Sequence, residues 1–482
     1  DTIRTFIKNN FFLSLKTLIL SHCFFQPMEK KNLKKLLWLV PVALIIGLIW
    51  FVWPRLPIIT AYAAKGMCSS VFLAEKLPER VEAEDLSFFP ISFADNTVNY
   101  QEKSVTSTVF GLAKRKAIFR EGAGAVIVLR SPEEELRRSG FTLPEPGYSQ
   151  DTIPWPKGDV LSDTLPAGVD YARLNEFLDT CFDAPGAEPS KKTLGIALVY
   201  DGELIAERYL GGYDFNTPFH GWSMTKSVTG AWAGLLSDRG MLKLTDPAGI
   251  EDWQDDRRQK ITLQNVMQMC SGLDWYENYF TISDATIMLM RREDMLSAVT
   301  DNKLACPPGT HWNYSSGDAN LLSGIIRQKI NDDKEYHTAV YRDLLYRMGM
   351  LNTQLETDAS GLFVASSYSY GSTRDWARFG LFFLNKGVFA GDTILSESWV
   401  NFMRTPAAPS GGKYAGTFWL KESKDENALT DVPEDIFFAD GFLGQRIYII
   451  PSKKLVAVRM GYGHSNFSFN NFLKEVIGTL PE

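Results

Sequence analysis

The order of apolar runs predicts an α+β fold. An antiparallel sheet assembled from both chain ends is flanked by helices, with a mostly helical lobe inserted between its halves. Three observations carry this expectation. Two strand-like runs, TLGIALVY and ELIAERYL, are joined by Asp201-Gly202, a dipeptide suited to the positive φ angles of a two-residue hairpin turn. Two further runs, QRIYII and LVAVRMG, meet at a Pro-Ser-Lys-Lys turn near the C-terminus. Between these pairs, residues 245–430 read mostly as helix and loop, including RDWARFGLFFLNKG. Pairing the early hairpin with the late one is the simplest way to close such a pattern into a single sheet.

The elements begin with a segment unlike the rest. Residues 36–53, LLWLVPVALIIGLIWFVW, are 18 consecutive residues without a charge, the lower limit for a membrane-spanning helix. Lys30, Lys31, Lys34 and Lys35 precede the run, and only Arg55 and Lys65 follow closely. That bias predicts an N-terminus in the cytoplasm and the remainder outside it, periplasmic or extracellular. Ala61-Tyr62-Ala63 has the small-x-small form of a cleavage site, so a cleaved signal peptide is the alternative to an anchor. Met28 opens a natural-looking start, which leaves residues 1–27 as an upstream extension without a structural role. The expected organisation is therefore 1–27 extension, 28–55 basic segment and anchor, 56–165 extracytoplasmic segment with a Pro-rich linker, and 166–482 main domain.

In the 56–165 segment AGAVIVL is the clearest strand, EEELRRSG a short helix or turn, and 143–166, with five prolines and two glycines, a linker or wrapping arm. YARLNEFLDTCFD opens the main domain as a helix, and FNNFLKEVIG closes it as another. With 482 residues, 45% of them apolar, a large core in two lobes is feasible. The net charge of −7 lacks the basic footprint of nucleic-acid binding. Five cysteines, Cys23, Cys68, Cys181, Cys270 and Cys306, form no CxxC pair, which disfavours zinc and thioredoxin-like chemistry. Outside the cytoplasm some of them can form disulfides, and Cys270 with Cys306 is the pair to test.

The candidate chemistry lies in GWSMTKSVTG, residues 221–230. SMTKSVTGAWAGLLSDRG has helical periodicity and stops at Gly240, so Ser223 and Lys226 lie at i and i+3 on one face of a helix start. The helix N-terminus favours an alkoxide and opposes an ammonium, and burial lowers a lysine pKa further. Ser223 can equally be an N-cap and Lys226 a solvated side chain. A second Ser-x-x-Lys, Ser410 to Lys413, spans two glycines in a loop and reads as chance. No G-x-S-x-G elbow surrounds Ser223, although His220 is close in sequence. PPGTHWNYSSGDANLLSG adds Tyr314, Ser315 and Ser316 ahead of a helical pattern, and ADGFLGQRIYIIPS adds a glycine-rich approach to a strand.

With these motifs in this order, residues from about 170 to 482 resemble the serine β-lactamase and penicillin-binding-protein superfamily. The resemblance is to its class C β-lactamase-like branch, with the esterases and 6-aminohexanoate-dimer hydrolases related to it. SGLDWYENY and DWARFGLFF are also similar to segments of that family. The resemblance implies Ser223 as nucleophile, Lys226 as its proton acceptor and Tyr314 as a phenol held partly ionised by the ammonium. It implies an oxyanion hole from the backbone N–H groups of Ser223 and Phe442, with Gly441 and Gly444 allowing close approach to the substrate. Ser316, Trp222, Tyr276 and His464 are further candidates for the pocket, together with Trp312. No metal or cofactor is implied.

Two departures bear on the substrate. Lys-Thr-Gly of the family's third motif is replaced by Ala439-Asp440-Gly441, and the second motif ends in Ser316 rather than asparagine. Losing that cation disfavours carboxylate-bearing β-lactams. It points to a small ester or amide, with Asp440, Glu277 or Asp274 available to meet an amine. The alternatives are a D-alanyl-D-alanine carboxypeptidase or β-lactamase acting on cell-wall-like substrates, and a non-catalytic membrane-anchored sensor.

Overall fold

The computed structural model describes residues 41–44, 46–184, 186–187, 190–421 and 429–481, and its contacts divide the chain into Asp1–Arg55 and Leu56–Glu482. In the first unit the apolar side chains of Leu44, Ile46, Leu48, Trp50 and Phe51 are exposed. One helical run among the described residues, Pro41–Phe72, is long and apolar enough to cross a membrane, a property that core helices and signal sequences share.

The second unit opens with α1 (Leu56–Phe72), whose Ala61, Ala63, Ala64, Met67 and Cys68 are fully buried. It packs on an antiparallel sheet of β1 (Ala94–Asn99), β2 (Ser104–Val109), β3 (Leu112–Arg120) and β4 (Gly124–Val128), paired in sequence order. The Pro-rich stretch after it straps the molecule. Buried Trp155 donates its indole N–H to the Gly202 carbonyl at 2.9 Å, and Arg378 donates to the carbonyls of Pro156 and Gly158 at 2.8 and 2.9 Å.

Next come α2 (Tyr171–Thr180), capped by the Asp170 side chain, and the hairpin of β5 (Thr193–Tyr200) and β6 (Glu203–Tyr209). Its turn has φ of 50° at Asp201 and 91° at Gly202, the conformation that the dipeptide predicts. β7 (Pro218–His220) leads into α3 (Met224–Asp238), and α4 (Ser316–Ile330) follows a stretch of short helices and loops. β8 (Gln354–Leu355) and β9 (Ser369–Ser372) form a small sheet with β7 in the order β7-β9-β8. The chain then runs through α5 (Thr373–Leu384), the two-residue strands β10 (Val388–Phe389) and β11 (Asp392–Thr393), and β12 (Trp419–Leu420). It finishes with β13 (Phe437–Gly441), β14 (Gln445–Ile450), β15 (Leu455–Gly461) and α6 (Phe469–Ile477).

The main sheet is six-stranded and antiparallel, in the order β12-β13-β14-β15-β5-β6. Its two halves join where β15 pairs with β5, with Val456 opposite Val199 and Val458 opposite Ala197. One face buries Ala197, Val199, Ile447, Ile449 and Val456 in a core shared with α3 and α5. The other buries Ile196, Leu198, Tyr448 and Ala457 against α2 and α6. Cover on both faces accounts for the continuous apolar runs of these strands.

A buried ion pair ties α1 to the rest of the unit. Lys65 Nζ donates to Glu356 Oε2 at 2.5 Å and to Ser69 Oγ at 2.8 Å, and Glu356 Oε1 accepts from Ser69 Oγ and from the Ala125 N–H. Cys68, Cys181, Cys270 and Cys306 are free thiols, so the Cys270–Cys306 bond considered from the sequence is absent; Cys23 lies outside the described residues.

Candidate active site

Ser223 sits where β7 turns into α3. Trp222, just before it, has φ 49°, a left-handed conformation uncommon for a bulky side chain. Its ring is clamped between His220, centroid 3.9 Å away, and Tyr62 of α1, 5.7 Å away. The turn places Ser223 at the N-cap of α3, yet its side chain makes no capping bond. Instead Ser223 Oγ accepts from Lys226 Nζ at 2.9 Å.

Lys226 is 1% exposed and spends its three N–H donors on Ser223 Oγ, Ser316 Oγ at 3.2 Å and the Ser366 carbonyl at 2.9 Å. Burial pushes its pKa down to about 8, against the upward pull of the Glu277 and Asp440 carboxylates. The Tyr314 ring centroid lies 4.8 Å from the same Nζ. Burial, then Glu277, hold the Tyr314 phenol well above its ordinary range, although a hydrogen bond with Ser223 works the other way. That direction runs against the expectation of a phenol held partly ionised by the Lys226 ammonium.

Behind the lysine stands a carboxylate whose position the sequence did not reveal. Glu277 accepts from the Ser316 N–H at 2.6 Å, Ser316 Oγ at 2.8 Å, Trp275 Nε1 at 2.8 Å and the Tyr279 hydroxyl at 2.9 Å. It lies at the first turn of α4, where negative charge is favoured. The chain Ser223–Lys226–Ser316–Glu277 is thus continuous. Four protein donors occupy Glu277, so it is not waiting for a substrate amine. SGLDWYENY marks the segment, but no spacing rule ties its glutamate to Ser316.

Other sequence candidates fall into place or out of it. Gly441 lies against the turn that leads to Ser223: a Cβ there would stand 2.4 Å from the Gly221 carbonyl oxygen. Phe442 packs on Trp222 at 5.4 Å and on Tyr279 at 5.0 Å. Among the described residues neither the Ser223 nor the Phe442 backbone N–H has a hydrogen-bond partner. Gly444 belongs to the β13–β14 turn, with φ 106° and its carbonyl accepting from Arg459, rather than to the edge beside Ser223.

Asp440 is ion-paired to Arg446 at 2.6 Å across that hairpin and is likewise not free for a cation; Asp274 is exposed. Tyr276 is 54% exposed and touches Asn278; the tyrosine that reaches Ser316 is Tyr279, at 3.0 Å. Trp312 lines up with Tyr414 and Trp419, each 5.9 Å away, and Trp419 is 5.1 Å from Tyr314. His220 is buried with its pKa pushed down to about 3 by desolvation, and Nε2 contacts the Ser367 carbonyl at 2.8 Å. The His464 side chain lies outside the described residues. At the second Ser-x-x-Lys, Ser410 Oγ is turned onto the Ala407 carbonyl in a loop.

A hydroxyl bonded to a buried amine, beside a phenol and a glycine-lined sheet edge, on a six-stranded antiparallel sheet packed by helices, defines the β-lactamase-like class of fold and site. Residues 178–470 match the Beta-lactamase family model, and the chain belongs to that family. Among solved structures it is similar to a Bacillus anthracis protein assigned as a 6-aminohexanoate-dimer hydrolase, with TM-score 0.54 and 22% identity over 69% of this chain and 90% of that one. It is also similar to a Bacteroides dorei DSM 17855 protein assigned as a beta-lactamase, with TM-score 0.52 and 17% identity over 65% and 99% of the two chains. At these identities the likeness is one of fold. Comparison with curated proteins found no match.

Proposed function

We propose that this chain is a serine hydrolase that cleaves a small ester or amide through an acyl-enzyme on Ser223. The single observation that carries the reading is Lys226 Nζ, buried and 2.9 Å from Ser223 Oγ, with no carboxylate in contact among the described residues; burial pushes its pKa down to about 8. Its neutral fraction takes the Ser223 proton as Oγ attacks the carbonyl carbon. The oxyanion meets the N–H groups of Ser223 and Phe442, each such donor being worth about 3–4 kcal/mol in the transition state. Tyr314, a neutral phenol, gives its proton to the leaving group and is reprotonated from Lys226. In deacylation the same pair takes a proton from water and returns it to Ser223.

Aromatic walls from Trp222, Tyr279, Phe442 and Trp419 favour an uncharged, apolar acyl group. With Ala439 where the family has lysine, and Asp440 paired to Arg446, that edge lacks the family's carboxylate-binding lysine. Uncharged linear amides are in the same range as esters.

Residues 36–53 serve as an uncleaved anchor with the hydrolase outside the cytoplasm. Two observations support this: the four lysines between 30 and 35, and the burial of Ala61, Ala63 and Ala64 inside α1. Cleavage after Ala63 would cut α1 and remove Tyr62 from its stack on Trp222.

Fluorophosphonate labelling tests the enzyme reading. The expected result is labelling of the wild type, none in Ser223→Ala, and turnover of nitrophenyl esters well above that of nitrocefin. A stable acyl adduct that never turns over would point to a sensor, and no labelling at all to a structural protein. Rapid, Ser223-dependent nitrocefin hydrolysis would overturn the substrate assignment.

A further inference from the structure

The N-terminal sheet carries a feature that the hydrolase site does not use. Phe89, Phe93 and Phe110 are 74%, 48% and 76% exposed, and Leu112 beside them is 47% exposed. The rings form a row, Phe89 to Phe93 at 5.9 Å and Phe93 to Phe110 at 6.0 Å. Isolated exposed apolar residues are ordinary, but a contiguous aromatic row marks a surface that something covers.

Its place in the fold identifies the cover. Phe110 and Gly111 make the β2–β3 turn, and Ala94, next to Phe93, pairs with Val109, so the row lies across one end of the sheet. α1 starts at that same end. Thr60 Oγ1 donates to the Ala113 carbonyl at 2.7 Å, whereas Phe72, at the far end of α1, packs on Phe119. Leu56 follows directly on Arg55 and the uncharged run 36–53. Thr60 is seven steps along the chain from Trp53, a reach of at most about 25 Å even fully extended. Lys114, exposed, lies two residues after Leu112 on β3.

We propose that Phe89, Phe93, Phe110 and Leu112 form a membrane-contacting surface, seated at the lipid–water interface of the bilayer that residues 36–53 span. It rests on the anchor reading above. Amphipathic and aromatic side chains gather at that interface, and a lysine beside them meets lipid phosphates. Together with the anchor, the row gives the domain a second point of attachment to the membrane.

The test uses the full chain in phosphatidylcholine nanodiscs that carry a diazirine near the top of one acyl chain, with adducts mapped by mass spectrometry. Adducts are expected within residues 36–53 and on the peptides holding Phe89–Phe93 and Phe110–Leu112. In Phe93→Ser/Phe110→Ser the latter are lost while those in 36–53 persist. Circular dichroism of that variant, and Phe110→Ser alone, control for loss of fold. Adducts confined to 36–53 would overturn the proposal and assign the row to a protein partner. Patch adducts undiminished in a folded double variant would also overturn it. Absence of adducts from both regions would remove the anchor reading itself.

Discussion

Lys65 and Lys226 are both buried in the unit Leu56–Glu482, and the fold treats them in opposite ways. Lys65 meets a carboxylate directly, Glu356 at 2.5 Å, and its ammonium lies 3.9 Å over the Tyr368 ring. Lys226 meets two hydroxyls and a carbonyl, and the Glu277 carboxylate reaches it through Ser316. Burial lowers the pKa of each; for Lys65 the opposing pull comes from Glu356 in contact, for Lys226 from carboxylates at one remove. A buried amine joined to its counter-ion is a fastening. One denied contact with its counter-ion is left near its titration point, where it can exchange a proton with the serine beside it.

The sharpest way to break this comparison is to make one substitution at both sites. Lys226→Met is expected to lower kcat/KM for a nitrophenyl ester by at least about 10⁴-fold, since nucleophile and base act as a unit. Its unfolding midpoint in urea stays at or above that of the wild type, because a buried ammonium without a contacting carboxylate is replaced by an apolar chain of similar volume. Lys65→Met should do the reverse. It strands the Glu356 carboxylate, fully buried, and costs about 3–5 kcal/mol of stability, while the activity per folded molecule is retained. Equal destabilisation by the two variants would remove the distinction.

The extent to which these sites are legible in the sequence differs for a physical reason. Ser223 and Lys226 are three residues apart on one helix, so local periodicity alone puts them side by side. The β5–β6 hairpin announces itself through Asp201-Gly202, and the pairing of β5 with β15 follows from apolar runs on either side of a helical block. Glu356 and Glu277 are different. Lys65 and Glu356 are 291 positions apart, and nothing local to either names the other. Glu277 reaches Ser316 across 39 positions because two irregular segments fold back together, a consequence of tertiary packing. Tyr276 and Tyr279 look alike in SGLDWYENY, and only the direction of the loop decides that the second faces inward. Asp440 read as a free carboxylate because Arg446, six residues on, becomes its partner only once the β13–β14 hairpin forms.

Solution pH sharpens the comparison further. If neutral Lys226 is the base, kcat/KM rises with pH through about 8 and levels above it, falling about tenfold per pH unit on the acid side. Tyr314, its phenol held neutral by burial, adds no second limb near neutrality. A flat profile from pH 6 to 9 would remove Lys226 from that role.

Glu277→Gln makes the finest cut. The carboxylate favours the ammonium, so its removal lowers the Lys226 pKa further and moves the limb to lower pH. Glutamine keeps one acceptor oxygen, which can serve the Ser316 N–H and the Trp275 indole, and turns its NH2 towards the Ser316 and Tyr279 hydroxyls, which can accept from it, so the plateau should fall by no more than about tenfold, as expected when polar contacts are rearranged rather than deleted. The profile in parallel with that of Glu356→Gln isolates the effect. Of the two lysines Glu356 contacts Lys65, and its variant should lose stability with no change in the limb. A limb that stays put in Glu277→Gln would mean that Ser316 insulates the lysine from the carboxylate, and that burial alone sets its pKa.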